Sequence, residues 1–265
     1  MNLAQPVQYR IQTTHRKCPQ IITRLQSEMG QNQHNNRIQK HAKTKKTVAA
    51  SALALLTLSS TYSYAEVTAN AAATSNYLWR GQEQGGGDAA IQGGIDYASE
   101  SGFYAGTWVS NASWADDMTY ELDLYAGFGG EINETFSYDV GYIYYAYPDA
   151  ASYTDADFSE IYGSISMGSF TFGAAILATS AASGDGTDFG DSLYLNADYS
   201  FPVGSTGAEM ALHLGHYSGD FIGDDDIIDY GVSVSKDGFT FGLSDNDIDG
   251  SDVKVYVAYA VDFTL

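Results

Sequence analysis

The chain of 265 residues has one cysteine, four prolines and twelve basic residues against 33 acidic ones. Each shortage excludes something. The single thiol, Cys18, lies in the first 65 residues, so the remainder can form no disulfide and has no thiolate chemistry. Nine of the twelve basic residues and one acid, Glu28, also lie in residues 1–65. Residues 66–265 keep three basic residues, Arg80, Lys236 and Lys254, and 32 acids, a net charge of −29. Nucleic-acid binding needs basic surface to neutralise phosphate and is excluded. Such a charge instead attracts cations or bridges through divalent ions. The apolar run at residues 48–58 is too short to cross a bilayer as a helix, which takes ~20 residues. No helical period of useful length comes after it, and proline is nearly absent from the segments that alternate.

The order of features near the N-terminus predicts export. Lys43, Lys45 and Lys46 precede the apolar run, and Ser63-Tyr64-Ala65 then offers a small-x-small cleavage site. Residues 1–65 are read as an N-terminal extension and signal peptide cleaved after Ala65, and residues 66–265 as one domain. The segment before the apolar run is long, and Met29 is an alternative start. No cysteine lies beyond the run, which excludes a lipoprotein anchor.

What the mature chain does have is alternation. Residues 253–265 place Val253, Val255, Val257, Tyr259, Val261, Phe263 and Leu265 on one face. Lys254, Tyr256, Ala258, Ala260, Asp262 and Thr264 lie on the other. A period of two over this length is a β-strand with one apolar and one polar face. Twelve such strands are predicted, at 67–79, 89–98, 103–110, 119–128, 136–147, 158–167, 170–179, 192–200, 208–217, 227–235, 239–244 and 253–265. Most approach the ~9–11 residues of a tilted membrane strand, and the number is even. Connections alternate between short ones and long, Asp-rich ones. Short inner turns and long outer loops produce this rhythm; a soluble β-sandwich has no reason to. The expected fold is therefore an all-β, antiparallel transmembrane barrel in the bacterial outer membrane, reached through the periplasm. Its lipid-facing sides are apolar, and Tyr together with Trp79, Trp108 and Trp114 supplies the aromatic girdles.

Several segments resemble a known family. Ser75-Asn76-Tyr77-Leu78-Trp79-Arg80-Gly81 is similar to the opening of TorF-type porins, also described as the Gcw_chp family. Gln92-Gly93-Gly94-Ile95-Asp96-Tyr97, the stretch from Glu100 to Trp108, Glu121-Leu122-Asp123-Leu124-Tyr125-Ala126-Gly127 and the stretch from Gly141 to Pro148 continue the match. The resemblance implies an outer-membrane barrel and a pore. The terminal Leu265 departs from the usual terminal aromatic, and Phe263 lies two residues earlier on the same face.

The polar faces supply the candidate pore lining: Arg80, Asp96, Glu121, Asp123, Asp139, Glu160, Asp198, Glu209, Asp229, Lys254 and Asp262. An acid-lined lumen concentrates cations and repels anions. The bland alternative is solvated or mutually hydrogen-bonded filling of a narrow barrel. Arg80, a lone cation among acids, is expected to pair with Glu121 or Asp123, either shaping a constriction or serving as a structural ion pair. Asp245, Asp247 and Asp249 match half of a calcium loop, but the twelfth position is Tyr256 where bidentate ligation needs Glu. No resident metal and no cofactor is expected. His213 and His216, three apart on one strand, point to opposite faces and cannot share a metal without a bulge. A Ser-His site seeded by His216 is the enzymatic alternative, and Ser is too common for a partner to stand out. Gly85-Gly86-Gly87 lacks a following helix or Lys and is read as a loop. The leading expectation is a porin, not an enzyme, passing small and preferentially cationic hydrophilic solutes. The second is a non-conducting structural or adhesive barrel with acidic outer loops. Expected partners are outer-membrane lipid and lipopolysaccharide, the barrel-assembly machinery, and small solutes and cations. A homo-oligomer is left open.

Overall fold

The computed structural model describes residues 65–115, 118–150, 156–182, 186–223 and 225–265. The predicted leader lies outside them, as do Asp116, Asp117, Asp155, Asp185 and Asp224 of the long loops. Twelve strands form a closed antiparallel barrel: β1 (Glu66–Thr74), β4 (Ala90–Ala98), β5 (Phe103–Asn111), β6 (Tyr120–Glu131), β7 (Phe136–Ala146), β8 (Phe158–Met167), β9 (Phe170–Ser180), β10 (Leu193–Pro202), β11 (Glu209–Ser218), β12 (Ile227–Lys236), β13 (Phe239–Asn246) and β14 (Lys254–Thr264). Two further strands, β2 (Leu78–Trp79) and β3 (Gln82–Glu83), pair only with each other. Wall strands follow sequence order. β14 meets β1 from Thr68↔Thr264 to Thr74↔Ala258, so no edge is left open.

Most of the expected strand boundaries lie within two or three residues of the observed ones. The exception is the first. Residues 67–79 read as one strand, but β1 ends at Thr74. The Thr74 hydroxyl donates to the Asn76 carbonyl at 2.8 Å and accepts from the Asn76 amide at 3.3 Å. This side-chain turn diverts the chain out of the wall. The loop rhythm matches expectation. One rim carries the tight turns, down to the two-residue Asp237-Gly238 link with φ 51° and 85° at its two residues. The other rim carries the longer connections, including a 3₁₀ turn (Asp220–Ile222).

The barrel is apolar outside and polar within. Ile91, Leu124, Val140, Phe172, Leu214 and Val255 stand exposed on the outer face. Their neighbours in sequence point inward and are covered by one another. A surface of this kind is stable against hydrocarbon, where every strand must also have its backbone groups paired. The outer rings cluster toward the short-turn rim, in pairs such as Phe103–Phe128, Phe170–Tyr199 and Phe239–Tyr259. The three tryptophans do not join them. Trp108 points inward on β5 and Trp79 lies inside the lumen. Trp114 packs edge-on against Tyr147 above the wall. The girdle expectation fails for them because Trp79 belongs to a segment that leaves the wall and Trp108 has inward parity. Four inward tyrosines lie directly across from glycines, in the pairs Gly106–Tyr125, Gly127–Tyr104, Gly141–Tyr162 and Gly242–Tyr256. The missing side chain lets each ring lie flat along the wall.

Candidate functional site in the barrel lumen

The connection from β1 to β4 folds inward. Its arms are tied by Asn76 Nδ2 donating to Glu83 Oε1 at 2.7 Å and by the Gln84 amide donating to the Tyr77 carbonyl at 2.8 Å. The tip is Arg80-Gly81, with φ 41° and 75°. Two successive left-handed residues make the turn that matches strand twist in a two-residue hairpin. At Gly81 a Cβ would stand 2.9 Å from the Asp245 carbonyl and 3.0 Å from the Asp229 Cβ, so glycine is required by space as well as by φ. Asn246 Nδ2 donates to the Gly81 carbonyl at 2.6 Å and fixes the tip against β13.

Because β1 and β4 lie beside each other and the tip touches β8, β10, β11 and β13, the hairpin crosses the lumen toward the opposite wall. Arg80 is 3% exposed and grips Glu160 of β8 with both terminal nitrogens, at 2.9–3.0 Å. Its guanidinium carbon lies 4.0 Å from the ring centre of Tyr194, 4.2 Å from that of Tyr217 and 4.7 Å from that of Trp79. Tyr145 donates to Glu160 Oε2 at 3.2 Å. Fork-to-fork geometry with stacked rings suits Arg and not Lys. Its carboxylate partner is therefore Glu160, not the expected Glu121 or Asp123. Glu121 instead accepts from the Tyr77 hydroxyl at 3.0 Å and from the Tyr147 hydroxyl at 3.3 Å. Burial first, then the charges of Glu121 and Asp123, push both phenols well above their ordinary range, so both remain donors. Asp123 is buried beside them. Trp79 completes the packing against Tyr145, Phe158 and Tyr217.

Nearer the short-turn rim the lumen is polar on both sides. On one, Asn70 donates to Asp96 at 3.1 Å, Tyr125 also donates to Asp96, and Tyr104 donates to Asp139 at 2.8 Å. On the other, His213 bridges Asp198 at 2.7 Å and Asp229 at 2.9 Å, with Tyr194 3.0 Å from its ring nitrogen. Glu209 and Asp262 share the inward parity lower down their strands. Lys254, at the long-loop end of β14, donates to Ser251 at 2.7 Å. Every wall residue proposed as lining thus faces inward. Three groupings emerge: Arg80 with Glu160; Asp96 toward the short-turn rim; and, on the facing side, Asp198 joined through His213 to Asp229, which lies at the level of the hairpin tip.

The remaining candidates sit elsewhere. Asp245 accepts from the Ser251 hydroxyl at 2.8 Å and Asp247 accepts from the Ile228 amide at 2.7 Å, which makes them loop-forming groups; Asp249 is exposed. Among the described residues no three metal-binding side chains converge. His216 points outward beside Asp226, at 3.0 Å, while His213 points inward, as their spacing requires. At the long-loop rim, Asp149 accepts from the Thr119 amide at 3.1 Å and from its hydroxyl. These bonds outweigh a larger single effect, desolvation, and hold its carboxyl below the usual range.

Sequence reasoning missed the inward hairpin, and with it the roles of Tyr77, Trp79, Tyr194 and Tyr217. Arg80 and Gly81 fall in the expected connection between the strands at 67–79 and 89–98, where a turn is unremarkable and does not show that the segment folds inward.

The model of the family described as "Bacterial protein of unknown function (Gcw_chp)" matches residues 59–264. No curated protein matches. Among solved structures, the KdgM porin in complex with disordered oligogalacturonate is 11% identical, with a TM-score of 0.45, over 75% of this chain and 99% of that one. The outer membrane protein OpdK from Pseudomonas aeruginosa is 15% identical, with a TM-score of 0.37, over 75% of this chain and 61% of that one. OccAB4 of Acinetobacter baumannii is 12% identical, with a TM-score of 0.38, over 69% and 55%. The likeness is one of barrel form and does not extend to solute or mechanism. Matched over most of its length, the chain belongs to the Gcw_chp family of bacterial proteins.

Proposed function

We propose that the protein is a passive channel of the bacterial outer membrane, of the TorF-type porin kind, for small hydrophilic solutes with a preference for cations. The observation that carries this reading is the closed barrel whose outer face is apolar and whose inner face is lined by Asp96, Asp139, Asp198, Glu160 and Asp229. Inward carboxylates in a water-excluding wall raise the local cation concentration and oppose anions. The inward hairpin sets the narrowest part of the path, and the short-turn rim faces the periplasm. Lipid and lipopolysaccharide contact the outer face, and the barrel-assembly machinery inserts it.

A second reading is a non-conducting barrel whose outer loops carry the function. The observation that favours it is the near-complete burial of Tyr77, Trp79 and Arg80, which fill the long-loop half of the lumen. Single-channel recording separates the two. Refolded residues 66–265 in a planar bilayer under a KCl gradient should give discrete openings with a reversal potential favouring K⁺. Asp139→Asn combined with Asp198→Asn should move that potential toward zero. A heat-modifiable, folded barrel that passes no current would leave the second reading standing.

A further inference from the structure

The surroundings of Arg80 have the chemistry of a receptor for a cation. Two rings from the barrel wall, Tyr194 and Tyr217, present their faces to the guanidinium at 4.0 and 4.2 Å. Glu160, itself 1% exposed, supplies a bidentate carboxylate, and Tyr145 orients it. Aromatic faces around a carboxylate are the means by which proteins bind guanidinium and alkylammonium groups. Here the occupant is carried on an element that does not belong to the wall. β2 and β3 pair only with each other. A two-stranded hairpin is marginal by itself. Its tip residue also has a left-handed backbone, φ 41°, at a non-glycine position.

We propose that the Tyr194–Tyr217–Glu160 pocket is a lumenal recognition site for guanidinium-bearing solutes, filled at rest by Arg80 of the protein's own hairpin. A solute of that class takes the place of Arg80 when the hairpin withdraws, so that recognition and opening are one exchange. This deepens the channel reading by naming a solute class, and rests on it for transport. Binding itself is independent of conduction. The tethered Arg80 competes at high effective concentration, so the intact chain binds a free guanidinium weakly.

The test uses the refolded mature barrel in detergent, with methylguanidinium chloride at millimolar concentration as probe and sodium chloride as ionic-strength control. Arg80→Ala empties the pocket and leaves Glu160 buried without its partner. The probe should raise the unfolding midpoint of this variant by ~2–4 °C or more relative to sodium. It should bind at least about tenfold more tightly than to the parent, whose pocket is occupied. In Arg80→Ala with Glu160→Gln both charges are gone, and the probe should do nothing. If Arg80→Ala refolds only with the probe present, the pocket has accepted it and the proposal stands. It is overturned if the probe gives no shift, or the same shift in the double variant. It is equally overturned if Arg80→Ala fails to refold with or without the probe while the double variant folds. Thermal unfolding reads all of these whether or not the barrel conducts, so a silent bilayer recording would count against the channel reading alone.

Discussion

Arg80 and Gly81 sit side by side in left-handed backbone, and the two residues bear that conformation differently. For an L-residue with a Cβ it costs roughly 1–2 kcal/mol. Arg80 meets this cost through the bidentate bond to Glu160 and three ring faces. Gly81 has no such recompense to offer a Cβ, which would press on the Asp245 carbonyl. Gly81→Ala should therefore destabilise the hairpin by about 1–3 kcal/mol while leaving the wall ladder intact. Hydrogen exchange would check this: faster exchange confined to the amides of residues 77–84, with β5 to β13 unchanged. Even exchange throughout would show that the tip is not pinned as described. The inward or outward direction of Glu121, Asp139, His213 and Asp262 was legible in the sequence, because parity on a strand is a local property. The partner of Arg80 was not. Glu160 lies 80 residues away and reaches Arg80 only through a loop that folds back across the lumen.

At the scale of elements, twelve strands and their two classes of connection could be read from alternation and from runs of Gly, Asp and Ser. The inward hairpin could not, because Tyr77, Leu78 and Trp79 continue an alternating run and nothing local distinguishes wall from lumen. The turn made by Thr74 decides it. The structural independence of β2 and β3 has a consequence. The wall closes through β1, β4 and β14 without them. Replacing residues 76–84 with a short Gly-Ser linker should give a barrel that still refolds and still shifts on heating. The loss of packing by Trp79, Arg80 and Tyr77 lowers its stability, and its unit conductance should rise several-fold. Conductance equal to that of the parent would mean that the hairpin does not lie on the path.

For the molecule as a whole, the governing quantity is a net charge of −29 on residues 66–265, divided between long loops and lumen. The two populations differ in how salt screens them. Exposed loop carboxylates such as Asp247 and Asp249 act through water, where the Debye length shrinks from ~10 Å at 0.1 M to ~3 Å at 1 M. Lumenal Asp96, Asp139 and Asp198 act at close range inside a low-dielectric wall and are screened much less. Cation preference should therefore have two parts. The larger, loop-dependent part should fall as KCl is raised from 0.1 to 1 M, and Asp247→Asn with Asp249→Asn should remove some of it at low salt alone. The part that persists at high salt should be lowered by Asp139→Asn with Asp198→Asn and left untouched by the loop variants. Reversal potentials measured for both pairs of variants across this salt range would check the division. A preference that vanishes entirely at 1 M would place the selectivity in the loops and reduce the lumenal acids to partners of Tyr104 and His213.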